Sequence, residues 1–90
     1  MQRFDVILTN EEGLHARPAT MFTQKASEFE SEMVVYKNGD DSKPFNPKSI
    51  FSVLSMGAGK GTKITLTISG QDEEKAKEEM LAFIEENINN

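Results

Sequence analysis

Residues 64–68 constrain the fold more than any other part of the chain. They read Ile-Thr-Leu-Thr-Ile, so that large apolar side chains alternate with threonine. Successive side chains of a β-strand point to opposite faces of a sheet, which predicts a strand with one buried face and one polar face. A sheet that is packed on one face only needs helices with apolar stripes to cover that face.

Three further segments are predicted to complete the sheet. Residues 4–8 alternate in the same way, and residues 33–36 form a β-branched and aromatic run. That run ends near Asn38-Gly39, a dipeptide typical of a hairpin turn. The return strand through DDSKPFNP contains two prolines, which lack the N–H of a strand ladder, and is therefore predicted to lie at an edge of the sheet.

Three helical patterns lie between and after the strands. The first begins at Ala16 and tolerates Pro18 in its first turn, where no N–H is needed. The second is the cluster IFSVL, which follows Ser49 as a suitable N-cap and is ended by GAGKG. The third opens with QDEEK, which places acids at the positive end of a helix. Its predicted inward stripe comprises Ala76, Met80, Phe83, Ile84, Asn87 and Ile88.

The element order βαββαβα predicts an α+β fold. We expect a four-stranded, mostly antiparallel sheet with three helices on one face. The other face, with residues such as Asp5, Thr65 and Thr67, is expected to meet water. No repeat, linker or change of composition divides the 90 residues, so we expect a single domain, 1–90.

Charge and composition exclude several functional classes. A net charge of −5 opposes nucleic acid as the main partner. Because the chain has no cysteine and one histidine, we expect no disulfide, no metal site and no cofactor. Arg3 and Asp5 interrupt the first ten residues, and no apolar run is long enough to cross a bilayer. We therefore expect a cytoplasmic protein that does not bind membranes.

Two motifs that suggest enzymes do not hold. GAGKGT lacks the phosphate-loop pattern, since Leu54 stands where the first glycine is required and Gly61 follows the lysine. We interpret it as a turn. A Ser–His–acid triad built on Ser49 or Ser52 would need a strained nucleophile turn, which the sequence does not contain.

The motif GLHARPAT, residues 13–20, carries the chemistry. His15 precedes a helix whose first amides have no intrahelical acceptor, and such a terminus attracts anions. The guanidinium of Arg17 can orient phosphate oxygens, and the amides of Ala16 and Arg17 are predicted to form a phosphate cradle. The positive helix end also disfavours imidazolium, which leaves a ring nitrogen free to act as a nucleophile. The alternative is that His15 only caps the helix or lies on the surface.

A second motif, KSIFSVL, predicts a docking surface. Ile50, Phe51 and Leu54 fall on one side of a short helix, and three large apolar groups exceed what two turns must bury. We expect an exposed patch, to which Leu14 and Thr20 of the first motif contribute. The alternative is that Ile50, Phe51 and Leu54 all belong to the core.

Together GLHARPAT and NPKSIFSVLSMG resemble the histidine-containing phosphocarrier (HPr) family of the bacterial phosphoenolpyruvate-dependent sugar phosphotransferase system, over essentially the whole chain. The resemblance implies an open-faced β-sandwich and a phosphoryl-transfer component rather than a stand-alone enzyme. Enzyme I would phosphorylate His15 on Nδ1, Arg17 would orient the phosphate, and EIIA domains of sugar permeases would receive it. Ser49 matches the family's regulatory serine, with HPr kinase/phosphorylase and a catabolite-control transcription factor as implied partners.

Three departures from the family pattern keep other functions open. Glu12 stands where a small or uncharged residue is usual, the stretch after Asn38-Gly39 is longer, and Pro47 replaces a common leucine. The alternatives are an HPr-like regulatory binding module and a carrier of the related nitrogen-regulatory relay. We expect a monomer, because transient partners must reach both motifs.

Overall fold

The computed structural model describes residues 1–89. The chain forms, in order, β1 (Gln2–Ile7), α1 (Ala16–Ala26), β2 (Glu32–Lys37), β3 (Asp40–Phe45), α2 (Ile50–Met56), β4 (Lys63–Ser69) and α3 (Glu73–Phe83), which continues as a π-helix (Ile84–Ile88). The predicted order βαββαβα is confirmed.

The four strands form one sheet in the order β1-β4-β2-β3, and every pair of neighbours is antiparallel. β4, the strand with the strictest alternation, lies between β1 and β2. Leu66 pairs with Phe4 on one side and Val35 on the other, so its face of the sheet is continuous with apolar neighbours. β3 lies at an edge, as the two prolines of the segment DDSKPFNP predicted, although only Pro44 falls within the strand itself.

The helices cover one face of the sheet and enclose the core. α1 contributes Ala19, Phe22 and Ala26, while α3 and the π-helix contribute Ala76, Met80, Ile84 and Ile88. The prediction that Asn87 faces inward was wrong, because Asn87 is exposed. The wider turn of a π-helix turns the position three residues after Ile84 outward and keeps the position four residues after it inward.

The open face of the sheet is less hydrated than predicted. Thr65, which we expected to meet water, is only 2% exposed. Its neighbours across the sheet are Asp5 on β1 and Tyr36 on β2. The Thr65 hydroxyl donates a hydrogen bond to Asp5 Oδ1 at 2.6 Å, so the buried polar group is satisfied.

The length and polarity of the helices bear on the expectation that no segment crosses a membrane. Across residues 1–89, the helices are all too short or too polar to span a bilayer.

Candidate functional site

The loop that precedes α1, residues 9–15, is called here the histidine loop. It rests on the segment that follows α2, because the Leu14 amide donates to the Ala58 carbonyl at 2.8 Å. Within the loop, Asn10 Nδ2 donates to the Gly13 carbonyl at 3.0 Å and the Gly13 amide donates back to the Asn10 carbonyl at 3.2 Å. Two main-chain bonds and one bond from the Asn10 side chain therefore fix the path of the chain into α1.

Gly13 is required at its position in this loop for two reasons. Its φ of +61° lies in the left-handed region that favours glycine. A Cβ added there would also lie 2.2 Å from the Ala58 carbonyl oxygen and 2.6 Å from Gly59 Cα. The glycine thus permits the close approach of two backbone segments.

The prediction that Leu14 docks partners was wrong. Its side chain is fully buried in the core, so a partner cannot reach it. Burial of Leu14, together with its amide bond to Ala58, anchors the end of the histidine loop. The next residue, His15, is exposed.

His15 occupies the N-cap position of α1 in an extended conformation, with φ −125° and ψ 165°. Its imidazole makes no capping hydrogen bond to the helix. The interpretation of His15 as a capping side chain is therefore wrong. The ring is exposed at the head of the helix, where solvent and partners can reach it.

The first residue of α1 has an unusual backbone conformation. Ala16 has φ +53°, a region that costs a residue with a Cβ roughly 1–2 kcal/mol. Such outliers persist only where surrounding contacts hold them, and they cluster at functional sites. Nothing in the sequence indicated this strain, since alanine is an ordinary residue at the start of a helix.

The head of α1 presents two free amides. No carbonyl or side chain of residues 1–89 accepts a hydrogen bond from the amides of Ala16 or Arg17, and Pro18 has no amide hydrogen. The Arg17 side chain is exposed and forms no ion pair in the part of the chain that the structure describes. Two amides, a helix terminus and one guanidinium are thus available to an anion beside His15.

The second predicted motif forms α2. Ser49 is its N-cap, and Ser49 Oγ accepts a hydrogen bond from the Ser52 amide at 3.3 Å. Phe51 is 84% exposed and Leu54 40% exposed, whereas Ile50 is partly buried against the core. Thr20 is exposed on α1, the helix against which α2 packs.

α2 connects the two motifs in space. Its seven residues span about 10 Å from Ser49 to Gly57, which precedes the Ala58 carbonyl that holds the histidine loop. GAGKG was predicted only as a turn, without this supporting role. The three glycines in these five residues could have indicated it, because glycine permits two backbone segments to approach closely.

Lys48 has a structural role that was not predicted from the sequence. Lys48 Nζ donates to the carbonyls of Phe29 at 2.6 Å and Ser31 at 2.8 Å, and so ties the start of α2 to the loop after α1. No pattern in the sequence pairs these distant residues.

The placement of potential metal ligands bears on the expectation that the chain has no metal site. Within residues 1–89, no group of three or more histidine, cysteine, aspartate or glutamate side chains could hold a metal ion.

Comparisons with known proteins agree with this geometry. Residues 2–86 match the family model for the PTS HPr component phosphorylation site. The HPr-like protein Crh of Halalkalibacterium halodurans is 47% identical over 73 residues, which cover 81% of this chain and 83% of that protein.

Two solved structures are also similar to the chain. HPr-C-His from Thermoanaerobacter tengcongensis is 37% identical with a TM-score of 0.90, over 100% of this chain and 98% of that one. The catabolite repression protein Crh of Bacillus subtilis, a dimer with a swapped domain, is 36% identical with a TM-score of 0.71, over 94% of each chain. Because the family model matches almost the whole chain and the fold is shared, this protein belongs to the HPr family.

Proposed function

We propose that this chain is a phosphocarrier of the sugar phosphotransferase system. His15 accepts a phosphoryl group from phosphorylated enzyme I and passes it to EIIA domains of sugar permeases. The observation that carries the proposal is the exposed His15 imidazole at the head of α1, beside the free amides of Ala16 and Arg17. The phosphocarrier works in the cytoplasm.

The transfer needs a neutral imidazole and a place for negative charge. A ring nitrogen of His15, Nδ1 by resemblance to the family, attacks phosphorus while the bond between phosphorus and enzyme I breaks. The second ring nitrogen keeps its proton, and no further reactant is needed. The amides of Ala16 and Arg17 and the Arg17 guanidinium stabilise the charge on the three oxygens of the moving group.

The openness of the site suits a carrier. His15 and Arg17 are exposed rather than enclosed, so donor and acceptor proteins can approach the same nitrogen in turn. A closed cradle would bind the phosphate more firmly and slow its release. Phe51, Leu54 and Thr20 then form the docking patch, which both classes of partner cover in turn.

Phosphoryl transfer is tested with enzyme I, magnesium and radiolabelled phosphoenolpyruvate. We expect one acid-labile, base-stable phosphate on the wild-type chain and none on His15→Ala. The control variant Ser49→Ala should be labelled as fast as the wild type, because Ser49 lies at the other end of α2. A wild-type chain that stays unlabelled, while a known HPr is labelled in the same mixture, would contradict the proposal.

A regulatory role is the second candidate, favoured by the similarity to the catabolite repression protein Crh and by the exposed Phe51. In that role Ser49 is the regulated residue, and phosphorylation adds negative charge next to the docking patch. HPr kinase/phosphorylase with ATP should then place an acid-stable phosphate on the wild type and none on Ser49→Ala. Labelling of Ser49 without labelling of His15 would place the regulatory role first.

The oligomeric state follows from the same proposal. We infer a monomer, because the docking patch and His15 must both remain accessible to partners. Light scattering at micromolar concentration should give a mass near 10.1 kDa, whereas twice that mass would place this chain with its dimeric relatives.

A further inference from the structure

A groove lies between the β2–β3 hairpin and the C-terminal half of α2. Its volume is about 180 Å³. The residues that line it are Lys37, Asp40, Lys43, Phe45, Ser55 and Met56. Met56 is buried and Phe45 half-buried, so the groove combines apolar side chains from the edge of the core with charged residues of the hairpin.

The groove is positive in a chain whose net charge is −5. Within residues 1–89, neither Lys37 nor Lys43 forms an ion pair. The one carboxylate of the groove, Asp40, accepts hydrogen bonds from the amide and the hydroxyl of Ser42. Lys37 Nζ lies 3.9 Å from the position that a Cβ of Gly57 would take, at the C-terminal end of α2. The groove therefore contains two ammonium groups and only one carboxylate, and that carboxylate is already hydrogen-bonded to Ser42.

The groove continues the docking patch. Phe51, Leu54 and Ser55 are spaced at i, i+3 and i+4 on α2 and so share one side of the helix. Ser55 also lines the groove, next in sequence to the exposed Leu54. A partner that covers Phe51 and Leu54 therefore lies against the mouth of the groove.

The size of the groove decides between two kinds of occupant. Clefts that hold small molecules and cofactors measure roughly 300–1,000 Å³, which is larger than this groove. One side chain of a protein partner needs less space. A groove lined by Phe45 and Met56 together with two lysines favours a side chain that has an aliphatic stem and ends in a carboxylate.

We propose that the groove receives an acidic side chain of the protein partner that docks on Phe51 and Leu54. This inference rests on the docking patch of the proposed function and gives that patch a charged specificity element. Lys37 and Lys43 select partners with a carboxylate beside their apolar contact surface, and they speed the encounter of the two proteins.

The test compares two charge reversals that change the net charge equally. Lys37→Glu combined with Lys43→Glu alters the groove. Lys75→Glu combined with Lys77→Glu alters α3, which packs over β1 and β4, toward the edge of the sheet that lies opposite β3. Enzyme I is the probe, and its affinity for each unphosphorylated full chain is measured by calorimetry at low and at high salt.

We expect the groove variant to bind enzyme I on the order of tenfold more weakly at low salt, with a smaller loss at high salt. The α3 variant should change by less than about twofold. If the groove reversal fails to fold, Lys37→Gln with Lys43→Gln should still weaken binding about threefold. The amount of label on His15 at saturating concentration should be unchanged.

Several results would overturn the groove proposal. These are equal effects of the two reversals, no effect of the groove reversal, or no binding of enzyme I to the wild type. Inorganic phosphate that shifts the NMR signals of Lys37 and Lys43 at millimolar concentration, without any role of these lysines in enzyme I binding, would instead make the groove a small-anion site. Because binding is measured without phosphoryl transfer, failure of His15 labelling contradicts only the proposed function.

Discussion

The two ends of the sheet are held by different kinds of contact. At one end, the histidine loop is fixed by main-chain hydrogen bonds, by the buried side chain of Leu14 and by the close approach at Gly13. At the other end, the loop of residues 29–31, called here the distal loop, is held by the charged side chains of Lys48 and Asp72.

The distal loop is bonded from both sides. Lys48 donates to two of its carbonyls. The Asp72 carboxylate accepts from the amides of Glu30 at 2.9 Å and Ser31 at 3.0 Å, and from the Ser31 hydroxyl. These bonds satisfy polar groups that the chain places near the buried Ser31.

The two kinds of contact suit the different roles that we propose for the two loops. The histidine loop is positioned mainly by neutral contacts, and its ion pair between Glu11 and Lys60 is exposed to solvent. None of these contacts engages the side chains of His15 or Arg17, so both remain available to phosphate. The distal loop has no such requirement and is held by ionised side chains. Variants in the first region should therefore act through sterics, and those in the second through charge.

The largest effect is expected for Gly13→Ala. The new Cβ would meet the Ala58 carbonyl at 2.2 Å in a left-handed backbone conformation. We expect the free energy of unfolding, measured in urea, to fall by about 3 kcal/mol or more. Gly39→Ala is the control, because Gly39 has φ +77° but open space around it, and should lose only about 1 kcal/mol. Equal losses would show that the close approach to Ala58 does not matter.

An intermediate effect is expected for Lys48→Met. Methionine keeps the length of the side chain but leaves the carbonyls of Phe29 and Ser31 without their donor. The free energy of unfolding should fall by about 1–2 kcal/mol, while the labelling rate of His15 stays unchanged. Lys60→Met removes only an exposed ion pair with Glu11 and should cost less than about 0.5 kcal/mol. A Lys48→Met variant that is equally stable but slow to be labelled would reverse this assignment.

The smallest effect is a pH dependence at Asp72. Hydrogen bonds to this carboxylate hold its pKa below the usual value of about 4. The bond from the Ser31 hydroxyl has the largest effect, and the bond from the Glu30 amide has the second largest. A depressed pKa stabilises the fold above about pH 4, and that contribution is lost as the pH falls through the folded-state pKa. The stability deficit of Asp72→Asn at pH 7 should therefore narrow at pH 3 in urea titrations. The exposed Glu74→Gln variant is the control. If Asp72→Asn lost the same free energy of unfolding at pH 3 as at pH 7, the account would be contradicted.

Local patterns predicted most of the fold. Alternation in residues 64–68 and helical spacing after Ala16 reflect which face each element buries, and burial is what fixes those elements. The prolines of the segment DDSKPFNP predicted an edge for β3 for the same local reason. The central place of β4 was not predictable, since it depends on pairing between strands distant in sequence.

The place of the candidate site at a helix terminus was predicted, but its detailed geometry was not. The positions of His15 and Arg17 could be predicted because the local sequence indicates where α1 begins. The burial of Leu14 could not, because it depends on contacts with the core that no local pattern encodes. The supporting role of Ala58 and the strained φ of Ala16 likewise arise where two distant segments meet. Asp72 was expected among the acids at the start of α3, yet its carboxylate makes no capping bond and holds the distal loop instead.

The most direct test of the central claim is an amide NMR comparison of the chain before and after enzyme I phosphorylates His15. If the free amides at the head of α1 hold the phosphoryl group, the signals of Ala16 and Arg17 should shift further than any others. Those of Glu30 and Ser31 in the distal loop should stay where they were. A phosphorylated His15 that leaves the Ala16 and Arg17 signals unmoved would contradict the account.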